Sequence, residues 1–196
     1  MKKGSKKHQH YVIYKPDGYL SQFINNQTKR NNKKLLGELH LFPTNTMAIG
    51  RLDQDSEGLL LLTTDGKISE HIRSTKIEKT YYSQVDGLIT AEAISKLCKG
   101  VEINVEGEKY ITKPCKAFIL NEVPNLPKRK KKVRDERHGP TSWISITLRE
   151  GKFRQVRKMT SAVGFPTLRL VRVRIGNIKV DEMRAGEVIE LDNLNI

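Results

Sequence analysis

The sequence predicts an α+β protein in which strands dominate and antiparallel pairing prevails. Two observations point to strands. Ile144, Ile146 and Leu148 alternate with Ser145, Thr147 and Arg149, and residues 168–175 (LRLVRVRI) alternate in the same way. A period of two is that of a half-buried strand. A third observation points to a helix between them. Val156, Met159 and Val163 fall at i, i+3 and i+7, and Gly164 with Pro166 ends the run.

In chain order, residues 11–14 (YVIY) read as a strand running into Lys15-Pro16-Asp17-Gly18, a turn composition. Residues 59–62 (LLLL) form a continuous apolar run, the mark of a buried strand, followed by the turn Thr64-Asp65-Gly66. Residues 80–86 (TYYSQVD) are rich in β-formers. Thr90 suits the N-cap of a helix that ends before Gly100. The helix over Arg154–Val163 leaves Arg154, Arg157, Lys158 and Ser161 together on a second face. Arg169, Arg172 and Arg174 suit a strand at the edge of a charged cleft.

Charge narrows the partner. The 196 residues carry 36 Lys and Arg against 22 Asp and Glu, a formal charge of +14. On a soluble chain such a surplus points to a polyanion. Three stretches concentrate polar and basic residues: 1–10, 25–34 (NNQTKRNNKK) and 124–140 (PNLPKRKKKVRDERHGP). The last holds six basic residues in the seven from Lys128 to Arg134. Each alone reads first as a solvated loop, whereas three on one basic chain favour a phosphate-facing surface.

Other classes find no support. No apolar run approaches the roughly 18 residues of a membrane helix. No apolar segment follows the charged N-terminus, so no secretory signal is expected and the chain reads as cytoplasmic. Cys98 and Cys115 form no CxxC, which argues against a disulfide framework or a thiolate zinc site. The five histidines lack HxxxH or HExxH spacing, and neither GxxxxGK[ST] nor GxGxxG occurs. No metal and no cofactor are expected.

Two segments carry candidate chemistry. Residues 50–63 read GRLDQDSEGLLLLT, with Asp53 just ahead of the apolar run. From the residues alone, Asp53 is either a loop carboxylate paired with Arg51 or a carboxylate displayed at a cleft. Residues 146–159 read ITLREGKFRQVRKM and set Lys152, Arg154, Arg157 and Lys158 with Gln155 around a strand–turn–helix corner. That corner is either a solvated helix start or a clamp for phosphate and carboxylate, both of which the planar Arg fork matches.

These segments resemble the RsuA-type family of ribosomal RNA pseudouridine synthases. The resemblance runs from about Tyr11 to about Leu191 and rests on GRLDxxSEGLLLLT, on EGKxRQVRKM and on the GFPTLRLVRVRIG stretch from Gly164 to Gly176. Lys15-Pro16-Asp17-Gly18 and Lys79-Thr80-Tyr81 fit smaller motifs of the family. The PTSW at 140–143 and GFPTLRLVR at 164–172 look closest to RluE-type members, which modify one uridine of large-subunit (23S) rRNA.

The resemblance implies a pseudouridine synthase fold: a mixed, mainly antiparallel central sheet flanked by helices, with two lobes about a basic cleft. Residues 11–196 would form the catalytic domain, with lobes of roughly 11–75 and 76–196 behind a flexible basic tail, 1–10. Many RsuA-type enzymes begin with an S4 RNA-binding domain. Here only about ten residues precede the first strand, so none is expected. A monomer is expected, since no heptad pattern calls for a partner.

The resemblance also assigns roles. Asp53 would attack covalently or assist proton abstraction at C2′, and Arg157 would be the cation that keeps it ionised. Tyr81 would stack on the flipped uracil and Leu170 would pack beneath it. Tyr82 points to the other face of the strand. Arg51 and Lys79 would support the site, through a carboxylate contact and a phosphate contact respectively. RNA contacts would come from Lys15, Lys128, Arg129, Lys130, Lys131, Lys132, Arg134, Lys152, Arg154, Gln155, Lys158 and Arg172. The rival readings are a non-catalytic rRNA-binding or assembly protein, and the same chemistry on 16S rRNA or tRNA.

Overall fold

The computed structural model describes residues 7–24, 33–74, 77–134 and 136–196. Parts of the three polar stretches (1–6, 25–32 and 135) lie outside the described residues. The N-terminal part builds β1 (His10–Lys15), β2 (Met47–Ile49), β3 (Glu57–Thr63) and α1 (Gly66–Ser74). The middle part adds β4 (Lys79–Asp86), α2 (Ala91–Lys99), β5 (Glu102–Val105), β6 (Glu108–Ile111) and β7 (Lys116–Ile119). The last part contributes β8 (Thr141–Leu148), α3 (Gln155–Ala162), β9 (Thr167–Ile175), β10 (Ile178–Lys179) and β11 (Val188–Leu191).

One sheet dominates, in the order β11-β1-β3-β9-β4-β8-β7, with β10 on β9 and β2 on β3. Among the described residues, every pairing in it is antiparallel except β3 with β9. β5 and β6 form a separate hairpin. The expected lobe boundary near residue 75 falls between α1 and β4, at residues 75–76, which lie outside the described residues. β9 pairs with β3, and β11 returns to β1.

The reason for the LLLL run is visible in the packing. Leu59 and Leu61 join one apolar cluster with Val12 and Tyr14, while Leu60 and Leu62 join another with Tyr11 and Ile13. A strand covered on both faces has no polar alternation to show. α2 and α3 press Ala93, Leu97, Val156 and Met159 onto Ile144, Ile146 and Leu148 of β8. α2 begins as expected, the Thr90 side chain accepting from the Ala93 N–H, and ends at Gly100 with φ of 101°.

β9 lies between β3 and β4 near the middle of the sheet, and its Leu170 and Arg172 also line the cavity described below. Its arginines are therefore held internally: Arg169 to Glu57, Arg172 to the Leu59 carbonyl and Arg174 to Glu78. One glycine is dictated by this junction. Gly58 has φ of 99°, and a Cβ there would lie 2.9 Å from the Arg172 backbone nitrogen and closer still to its carbonyl oxygen. Only glycine lets β3 approach β9 this way.

Candidate active site

Asp53 sits in the turn between β2 and β3, where the Ser56 N–H donates to its carbonyl at 3.1 Å. Buried polar side chains hold that turn. Ser21 Oγ accepts from the Leu52 N–H at 2.9 Å and donates to the Leu52 carbonyl at 2.8 Å. Arg172 donates to the Leu59 carbonyl at 2.7 Å and reaches the Arg51 carbonyl at 3.5 Å. Lys15 Nζ donates to the carbonyls of Pro16, Tyr19 and Gln54 at 2.9, 2.8 and 3.4 Å. Burial drives the Lys15 ammonium down to about 8.

The carboxylate faces a cavity of about 480 Å³. Arg51, Lys79, Tyr81, Lys152, Arg154, Gln155, Leu170 and Arg172 share its walls with Asp53. Residues from distant motifs thus converge on one space. Arg157, Lys158, Lys15 and the 128–134 run do not line it. Tyr82 lines a different cavity, of about 790 Å³.

Among the described residues Arg154 is the cation nearest to Asp53, its Nη1 lying 3.4 Å from Oδ2. The same guanidinium grips Asp55 through two hydrogen bonds of 3.0 Å each. Arg157, the expected partner of Asp53, makes its hydrogen bonds elsewhere, although its charge still acts to lower the Asp53 carboxyl. It donates to the Asp55 carbonyl at 3.0 Å and the Thr167 carbonyl at 3.3 Å, and lies 3.3 Å from the Asp55 carboxylate. Arg154 caps α3 in the left-handed region, φ 53° and ψ 33°, and its side chain reaches the Asp53 loop. The helix therefore starts at Gln155, one residue later than expected.

Burial raises the Asp53 carboxyl above its ordinary value, with Arg154 opposing that rise and Asp55 adding to it. Burial acts the same way on Asp55, but the Arg154 hydrogen bonds and nearby Arg157 outweigh it and hold that carboxyl low. The two aspartates of one turn are thus driven apart.

Several residues expected to contact RNA make internal contacts. Lys15 and Arg172 are buried and serve the backbone. Gln155 is buried and donates to Glu150 at 2.6 Å while accepting from the Lys152 N–H, so it shapes the turn before α3. Arg129 is bound to Asp17 and lies 3.7 Å from Glu57. Arg134 is bound to Asp86. Arg51 is exposed at the cavity and forms no ion pair with Asp53. Lys79 donates to the Ile77 carbonyl at 3.3 Å. Lys128, Lys130, Lys131, Lys132 and Lys152 remain exposed. Lys158 lies over the Phe153 ring at 5.3 Å.

Two residues of interest escaped the sequence reading. Asp55 lies two residues after Asp53, a spacing that placed it in the same turn. Phe153 is 63% exposed at the cavity wall. An exposed aromatic between Lys152 and Arg154 was the available signal.

This fold and this pocket define a class. A family model for RNA pseudouridylate synthases matches residues 9–162. The chain belongs to that family and is an isomerase. It is similar, at 42% identity over 174 residues, to the ribosomal large subunit pseudouridine synthase E of Xanthomonas axonopodis pv. citri, with 88% of each chain covered. It is 39% identical over 182 residues to the protein of that name from Vibrio parahaemolyticus, covering 92% of this chain and 72% of that one. A solved pseudouridylate synthase structure matches with a TM-score of 0.74 at 27% identity, over 96% of this chain and 72% of that one. The expected mixed, mainly antiparallel sheet is the observed architecture.

Proposed function

We propose that this chain converts one specific uridine of large-subunit (23S) ribosomal RNA to pseudouridine, with Asp53 as the acting carboxylate. The observation that carries the reading is the half-buried Asp53 at the wall of a cavity of about 480 Å³, with Tyr81 and Leu170 on the same walls. Pockets for small ligands span roughly 300–1,000 Å³, so one nucleotide fits the scale. The relatives named above supply the substrate class.

The reaction breaks the N1–C1′ bond, turns the base and joins C5 to C1′, with no net redox change. Asp53 either attacks covalently or takes the C2′ proton, and both roles need its ionised form. Arg154 favours that form. Tyr81 stacks on the base and Leu170 packs beneath it. The target atom is hidden in a stacked helix, so the nucleotide is extruded, at a cost of a few kcal/mol. Lys152, Lys158 and the exposed lysines of 128–132 bind phosphates and leave sequence choice to other contacts. The protein works in the cytoplasm as a monomer.

Pseudouridine mapping of large-subunit rRNA tests this. Cells would carry the wild-type gene, Asp53→Asn, or a deletion. One site present only with wild type is the expected result. A site lost on deletion but kept with Asp53→Asn removes Asp53 from its role. No change at any site overturns the substrate.

A further inference from the structure

We propose that Asp55 is a positioning residue, holding the Arg154 guanidinium so that one of its nitrogens stays turned to Asp53. The inference rests on the reading of Asp53 as the acting carboxylate.

Arg154 and Asp55 meet fork to fork. Nη1 reaches Oδ1 and Nη2 reaches Oδ2, each at 3.0 Å. A bidentate pair fixes the plane of the guanidinium as well as its distance. The same Nη1 also lies 3.4 Å from Asp53 Oδ2. One nitrogen is therefore shared between two carboxylates, and the second carboxylate decides where it points.

Asp55 is itself held. Arg157 is only 11% exposed along its side chain. It donates through Nη2 to the Asp55 carbonyl at 3.0 Å and to Ser56 Oγ at 3.4 Å, and through Nη1 to the Thr167 carbonyl at 3.3 Å. Alignment passes from the start of β9 through Arg157 to Asp55, then through Arg154 to Asp53.

Stability does not account for the pair. The Arg154 and Asp55 side chains are 35% and 44% exposed, and ion pairs that open to solvent contribute little. A left-handed arginine at the helix start also works against stability. Both features fit a group held in one direction next to a reacting carboxylate.

The test is a kinetic cycle with the full-length protein and a large-subunit rRNA fragment that the wild type modifies. Asp55→Asn removes the charged fork partner, and Arg154→Lys keeps the charge but loses the fork. Each single change is expected to lower kcat, on the order of 100-fold for a displacement of about an ångström, with KM for the RNA nearly unchanged. The double variant is expected to be no slower than the slower single variant, because Asp55 acts through Arg154.

Wild-type kcat in Asp55→Asn overturns the proposal, as does a loss confined to KM. Multiplying effects in the double variant overturn it too. If Asp55→Asn does not fold by circular dichroism, Asp55→Glu replaces it in the cycle, with the same non-additivity expected. Asp53→Asn runs alongside. Retained activity there strikes the underlying reading, whereas an inactive Asp53→Asn with wild-type-like Asp55→Asn strikes only this inference.

Discussion

Arg172 donates its Nε–H to the Leu59 carbonyl at 2.7 Å across the parallel junction of β3 and β9, and its Nη1 reaches the Arg51 carbonyl at 3.5 Å. A buried cation thus ties the junction of β3 and β9 to the loop that carries Asp53. Arg172 is 3% exposed, so its role is internal. Arg172→Lys loses the directed Nε donor and is expected to cost about 1–3 kcal/mol of stability. Chemical denaturation measures that loss, and kcat should fall with it. The salt dependence of RNA affinity should stay as in the wild type. A weaker slope with unchanged stability would return Arg172 to the RNA-facing set.

Much of this arrangement was legible in the sequence, and the gaps have physical causes. The runs at 11–14, 59–62, 80–86 and 143–149 gave strands because their burial shows in composition. α1 was hidden because Thr64-Asp65-Gly66 is both a turn and a helix start. The Asp65 carboxylate accepts from the Lys67 and Ile68 N–H groups at 2.9 and 3.3 Å, which makes it a cap. β11 is four residues long and exists through its pairing with β1, a contact far apart in sequence. Asp53, Tyr81 and Leu170 could be named from motifs. Which arginine meets Asp53 could not, because that depends on the left-handed backbone of Arg154. The alternation of 168–175 likewise could not show that both faces of β9 are used internally.

Asp53 should impose an acid limb on the rate. Its carboxyl is raised above the ordinary 3.8, mainly by burial, with Arg154 opposing. On the proposed role of Asp53 as an ionised carboxylate, kcat/KM is expected to fall as pH drops through that raised value. Removing the opposing cation should move the limb to higher pH, since a nearby positive charge favours the carboxylate. Single-turnover rates against pH for wild type and Arg154→Met give the comparison. A limb that moves down, or does not move, would separate Arg154 from Asp53.

Gly58 gives a sharp steric prediction. Its φ of 99° disfavours any other residue, and an added Cβ would collide with the backbone of Arg172. Gly58→Ala is expected to lose more than about 3 kcal/mol, from strain and overpacking together. Gly66→Ala is the control, since nothing lies within 4 Å of a Cβ there. It should be neutral or stabilising by up to about 1 kcal/mol. Thermal melts of the two variants decide the matter, and similar midpoints would remove the close-approach argument.

The basic segment of 128–134 divides into ion-paired arginines and exposed lysines, which makes its variants separable. Arg129 is tied to Asp17 and Glu57, and Arg134 to Asp86. Lys130, Lys131 and Lys132 between them are exposed. Arg129→Ala removes the partner of Asp17 and one of the cations at the buried Glu57, leaving its ion pair with Arg169, so it should lower stability. Replacing Lys130, Lys131 and Lys132 together by Ala should leave the melting point in place and weaken RNA binding. Each phosphate contact to a single strand contributes about 0.7 to the slope of log affinity against log salt. Loss of three should flatten it by about 2. The single-turnover rate of bound RNA should hold within about twofold, because phosphate contacts position the RNA without touching the reacting base. An unchanged slope at full affinity would mean that the lysines face solvent in the complex. A slower bound-state rate would mean that this segment reaches the uridine itself.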